Sequence, residues 1–249
     1  MSRSNPSDHQ PHPCTRWFEW GAGDGVVRYY DKDLKKNVTV GDEFAFLLLD
    51  ELAGVGGWHD PTESSIFSNE VRDTRTETLV VKSHKGGVLI EGLYAQIKDR
   101  LVAMGGSYVA NCYIAWKDAE GHLQIGSLRW KGAGMGAWME FRQEHRRDLY
   151  KRAIRITGSV KGKKGRVEFH TPVLSLTEIS ETTNAAATAL DAELQTYLTG
   201  YFGRKTLDRV PVQAPQEEPR DSEEPTNVAP FPSRGDGTET MITDKDIPF

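Results

Sequence analysis

Apolar residues along this chain come in short runs separated by glycine, aspartate or lysine turns, and most runs have strand length and strand composition. Trp17-Phe18-Glu19-Trp20, the glycines Gly21, Gly23 and Gly25, and Val26 to Asp31 predict a hairpin, with a third short strand at Val38 to Val40. Phe44 to Asp50 is an unbroken apolar run that suits a strand buried on both sides or a short helix. The glycines after it (Gly54, Gly56, Gly57) predict a bend or a bulge, and Trp58 to Pro61 a loop. Further strands are expected at Ser64 to Arg72, Thr78 to Lys82 and Val88 to Ile90, with a turn at Thr74 to Glu77.

Three stretches carry helix signals. Leu93, Ile97 and Leu101 fall on one face of a helix over Leu93 to Met104, closed by Gly105-Gly106. A second helix is expected over Met135 to Arg146. A third runs from Asn184 to Phe202, with Leu190, Leu194, Leu198 and Tyr201 on one face. Tyr108 to Trp116 and Leu123 to Trp130 predict a hairpin, as do Ala153 to Gly158 and Arg166 to Leu176 around the basic turn Lys161 to Gly165. The fold class is therefore mainly β with a few helices. The order of three strands, helix, two strands between Phe44 and Trp130 fits the five-stranded Greek-key barrel of the oligonucleotide-binding fold, with added strands and C-terminal helices. Residues 1–13 are expected to be disordered, 14–206 to form the domain, 207–237 to be a disordered linker poor in apolar groups, and 238–249 a separate tip.

Composition changes this picture little: 249 residues, 27% charged and 37% hydrophobic, suit one sizeable soluble domain plus a tail. No apolar run reaches the ~20 residues that cross a bilayer, and the polar N-terminus lacks a secretory signal, so the cytoplasm is expected. Two cysteines, Cys14 and Cys112, exclude a disulfide framework, and no metal or cofactor is expected.

Charge changes it more. The net charge of −5 is unevenly spread. Leu207 to Phe249 holds ten acids and four bases, whereas Glu140 to Thr171 holds ten Lys/Arg and four Asp/Glu. A basic region and an acidic tail are the footprint of a nucleic-acid binder, or of a solvated face with a solubilising tail.

The chain ends Asp244-Lys245-Asp246-Ile247-Pro248-Phe249, which puts an aromatic ring and the terminal carboxylate on one residue beside two acids. This ending resembles the acidic tip of bacterial single-stranded DNA-binding proteins. It differs from that tip in carrying Lys245 inside a shorter acidic run. The stretches Ile66 to Thr74 and Ser127 to Ala137 resemble phage-encoded single-stranded DNA-binding proteins more loosely. The resemblance implies that Asp244, Asp246, Ile247, Pro248 and Phe249 dock onto replication, recombination and repair proteins, and, if the chain is phage-encoded, that it works in the host cytoplasm.

Binding single strands takes cations along the phosphates and aromatic faces for the bases. The residues expected to do this are Arg28 and Tyr30 on one strand face, Trp58 in its loop, and Arg72 and Arg75 around a turn. Lys82, Arg129-Trp130-Lys131 before the glycines Gly132, Gly134 and Gly136, and the finger Lys161, Lys163, Lys164 and Arg166 complete the set. Tyr113, Ile114, Leu93 and Ile97 are assigned to the core. No phosphate loop, HExxH or GxSxG motif is present, so an enzyme is not expected. The acidic tail is expected to compete with DNA for the groove. A strand-annealing or recombination-mediator protein, and an adaptor that uses only the tip, are the alternatives; a homo-oligomer is compatible with either.

Overall fold

The computed structural model describes residues 11–41 and 43–203. The linker, the tip residues Asp244, Asp246, Ile247, Pro248 and Phe249, and residues 1–10 of the N-terminal segment lie outside the described residues. The described chain is mainly β, with one mixed sheet of eleven strands and three α-helices. In chain order the elements are β1 (Arg16–Gly21), β2 (Val26–Asp31), β3 (Lys36–Thr39), β4 (Phe44–His59), β5 (Ser64–Ser68), β6 (Leu79–Ser83) and β7 (Gly87–Gly92). They continue with α1 (Tyr94–Ala103), β8 (Gly106–Lys117), β9 (Leu123–Trp130), α2 (Gly132–Glu144), β10 (Ala153–Lys164), β11 (Val167–Thr177) and α3 (Glu181–Gly203). Among the described residues no helix is long and apolar enough to cross a membrane.

The sheet runs β3-β2-β1-β9-β8-β4-β5-β6-β7, and the β10–β11 hairpin joins β4 through Ile154–Ile156 against Phe44–Phe46. This path is open, so the expected five-stranded barrel is not what the pairing gives. Closure would require β9 to return to β7. Its outer edge is instead taken by β1, in parallel, with Phe18 beside Leu128. The sheet does curl at one end. There the His170 N–H donates to Ala22 O (2.7 Å) and Trp20 Nε1–H donates to His170 O (2.9 Å), joining β11 to the β1–β2 turn by contacts too few for a ladder.

β4 organises the sheet. It does not stop at the glycines but continues through them to His59, pairing with β8 from Phe46 to Gly57 and with β5 from Gly56. Its bulge lies earlier, between Leu48 and Asp50. Gly57 and Gly105 let two backbones meet, and the Trp58 N–H donates to Gly105 O (3.2 Å). A Cβ on either glycine would strike backbone oxygen of the other segment.

Three apolar clusters fix the layers. On one side of the sheet α1 packs Ile97 and Leu101 against Val55, Ile66 and Val81. On that same side α2 packs Trp138 and Phe141 against Trp130, Leu128 and Phe46. On the other side α3 packs Leu194, Tyr197 and Leu198 against Leu47, Leu49, Leu52 and Tyr113. Tyr113, Ile114 and Ile97 are core as expected, while Leu93 is half-buried and precedes α1.

Candidate nucleic-acid interface

Side chains alternate along a strand, and cross-strand partners share a side. The register therefore decides which expected residues meet. Glu19 is paired with Arg28 and with Arg129, Arg129 with Asn111, Gly56 with Phe67, Trp58 with Ser65, and Phe67 with Lys82. Arg28, Tyr30, Arg129, Trp58 and Lys82 thus stand on one side of the sheet, on strands β2, β9, β4 and β6. Lys131, two residues past Arg129, joins them and pairs with Glu19 (3.2 Å). This is the side that α3 covers only over Leu47 to Leu52 and their neighbours; among the described residues, no helix packs on the part from Gly54 to Trp58.

Two positions of β4 on the floor of this part, Gly54 and Gly56, carry no side chain. A Cβ on Gly54 would lie 3.2 Å from Asn111 Nδ2, and one on Gly56 would lie 3.2 Å from Val109 and 3.9 Å from Arg129 Nη1. Two glycines thus let the Asn111 and Arg129 side chains lie across β4. Trp58 and Phe67 are half-buried rings at the edge of this floor, and Lys82 has no ion-pair partner among the described residues. Phe67 was not singled out from the sequence; its place opposite Gly56 and Lys82 puts it here.

A polar layer lies beneath. Arg129 Nε–H donates to Asn111 Oδ1 (3.2 Å) and Tyr113 O–H donates to Glu70 Oε2 (2.6 Å). The Glu70 N–H donates to Tyr201 Oη (2.8 Å), and Ser68 Oγ accepts the Val55 N–H (2.9 Å). Burial pushes the Glu70 carboxyl up, against the Tyr113 hydrogen bond and the Arg129 charge. Burial likewise pulls the Arg129 guanidinium below its ordinary value, against Glu70 and Glu19. Arg129 is thus committed to the protein as well as facing the open side.

No family model matches the chain, and no curated protein or solved structure matches it either. The geometry alone must carry the reading.

The other expected residues separate from this face. Trp130 is a correction: it is fully buried and stacks on Trp138, with ring centroids 5.6 Å apart at 10°. It alternates away from Arg129 and Lys131 and forms the core under α2, so it cannot stack on a base. Gly134, four residues on, serves the same packing. A Cβ on Gly134 would lie 2.8 Å from the Trp20 ring, so the gap admits an indole and not a ligand. Arg72 forms a two-pronged pair with Asp50 (3.2 and 3.0 Å) and lies over the Phe202 ring. Arg75 is held by Asp73; Arg28, which does belong to the face, is itself held by Asp24 (2.8 Å).

The basic finger is a two-stranded arm. β10 and β11 leave the sheet after Ile156, bulge, and pair on to Lys164–Val167. Gly165, at φ +60°, is the first of two loop residues, the position where a tight hairpin needs a left-handed backbone. Lys161, Lys163, Lys164 and Arg166 are all exposed. Lys161 pairs with Glu168 (2.7 Å), while the other three have no ion-pair partner among the described residues.

Proposed function

We propose that this protein binds single-stranded DNA without sequence preference, across the side of its sheet that α3 covers only in part. It shields the strand during replication, recombination and repair, and it recruits partner proteins through the terminal Ile247-Pro248-Phe249. It acts by binding and not by catalysis. One observation carries this reading. Six residues chosen from sequence for cation or ring chemistry (Arg28, Tyr30, Trp58, Lys82, Arg129, Lys131) come from four strands and the residue just after β9. The pairing register puts all six on one side of the sheet, with Arg129 reaching the glycine floor of β4. A backbone-tracking set of cations with rings beside it is what non-specific single-strand binding requires. We read the sheet as an opened and enlarged oligonucleotide-binding fold, since β6, β7, α1, β8 and β9 keep that fold's order of strands and helix.

The test is titration of the full chain with a thymidine oligomer, at low and raised salt, with a duplex control. Tryptophan emission should be quenched by the single strand alone, and Trp58→Phe should remove most of that quench. Removing Thr240 to Phe249 should leave DNA affinity equal or tighter and abolish partner binding. A chain that ignores the oligomer, with or without its last ten residues, is an adaptor. Faster pairing of complementary strands in its presence would make it an annealing protein.

A further inference from the structure

The β10–β11 arm has two unlike sides, and only one is accounted for by charge. Beyond the bulge, the pairs Gly158–Val173, Val160–Thr171, Gly162–Phe169 and Lys164–Val167 share one side. Ser159–Pro172, Lys161–His170 and Lys163–Glu168 share the other. The second side is polar and holds two of the cations. The first side is apolar and faces water: Val160 is 61% exposed, Val167 66% and Val173 40%.

Exposed apolar groups on a two-stranded arm, with nothing among the described residues packed on them, call for an occupant. Phe169 is placed for one. A Cβ on Gly162 would lie 2.6 and 2.7 Å from Phe169 Cε2 and Cζ, so the ring lies against the bare backbone of the facing strand. One ring face is held by Gly162, and the residue stays half-exposed. Strand alternation through the bulge also puts this side of the arm on the same side of the sheet as Trp58 and Lys82. Between Gly158 and Thr171 the sequence holds four cations and one acid, which selects a polyanion over an acidic or neutral surface.

We propose that Phe169 is a base-stacking platform and that the arm grips a second stretch of the same single strand. Bases lie on Phe169 between Val160 and Val167, and Lys164 on that side and Arg166 in the loop take the flanking phosphates. This rests on the single-strand reading above and adds a contact site to it. A ring laid over a cross-strand glycine also shields that glycine in a purely structural role, so the experiment has to separate stacking from shielding.

The full chain is titrated with a labelled thymidine oligomer and with the same oligomer carrying abasic sites. Phe169→Ala should weaken binding of the intact oligomer by about 5- to 100-fold, with the slope of affinity against salt unchanged. Phe169→Trp should restore affinity and Phe169→Leu should not. Abasic sites should cost the wild type much of what Phe169→Ala costs, and should cost the alanine variant little. Wild-type affinity in Phe169→Leu would overturn the platform, because shielding of Gly162 would then suffice, while single-strand binding itself would stand. A change of oligomeric state in Phe169→Ala would also overturn it, by making the apolar side a contact between copies. Failure of the wild type to bind any single strand would remove both proposals.

Discussion

The open side of the sheet and the β10–β11 arm present the same kinds of side chain under opposite conditions. On the sheet, Arg129 is tied to Asn111, Lys131 to Glu19 and Arg28 to Asp24, above a polar layer that includes a buried Glu70. On the arm, Lys163, Lys164 and Arg166 stand in water without ion-pair partners among the described residues. A cation that must leave an internal partner gains less from a phosphate than one that gives up only water and counterions. On the proposed single-strand reading, the sheet would therefore supply shape and placement, and the arm salt-dependent attraction. Counting basic residues does not distinguish the two; their partners do.

The sharpest way to break this contrast is at Trp130, which sits behind the open side. Trp130→Ala should lower unfolding free energy by about 3–5 kcal/mol in urea melts, and loss of DNA binding should follow loss of fold. If the variant is as stable as the wild type but fails to bind DNA, Trp130 is a contact residue after all. Arg129→Ala comes next. It leaves Glu70 buried without its nearby cation, and should cost about 3 kcal/mol of stability with little change in the salt slope. Replacing Lys163, Lys164 and Arg166 together by Ala should do the reverse: stability within about 0.5 kcal/mol, and a salt slope shallower by about 2 in log–log units.

A pH series sharpens the sheet side further. His12 lies against Trp17, Tyr113 and Tyr197, and burial lowers its pKa from 6.5 to about 4. The unfolded chain takes up a proton at His12 near pH 6.5, and the fold resists it down to about 4. Its contribution to stability is thus complete above 6.5 and drains away as pH falls, by at most about 3 kcal/mol at the lower end. His12→Asn should flatten that part of the stability profile. The smallest effect is expected at Arg75, an exposed cation already held by Asp73; Arg75→Ala should alter stability and DNA affinity by less than about 1 kcal/mol each.

Much of the secondary structure was legible in the chain. β9 has the bounds expected of it, and α1 and β11 differ by a residue at each end, whereas β10 runs on from Gly158 to Lys164 through most of the expected basic turn. These elements have clear periods and glycine or basic turns at their ends. β4 was cut short at Asp50 because three glycines supply no pattern; they continue the strand because Asn111, Arg129 and the Gly105 backbone fill the space their side chains would take. The order of strands was not legible, since nothing local in Arg16–Gly21 announces a parallel partner in β9. In the candidate site, Arg129-Trp130-Lys131 reads as one cluster along the chain, whereas strand alternation sends Trp130 to the far side. The alternation Val167, Phe169, Thr171, Val173 against Glu168, His170 and Pro172 was equally readable, and it marks the arm's apolar side.

The fastening of α3 has a mechanical consequence. Tyr201, in its last turn, accepts the Glu70 N–H, and Glu70 in turn holds the Tyr113 hydroxyl of β8. A pull on the chain beyond Gly203, such as a partner gripping the far end would exert, is delivered first to this tyrosine. From there it passes into the strand that pairs with both β4 and β9. α3 is thus fastened to the middle of the sheet, and a load applied at its C-terminal end would reach the β4–β8–β9 ladder and not an edge strand.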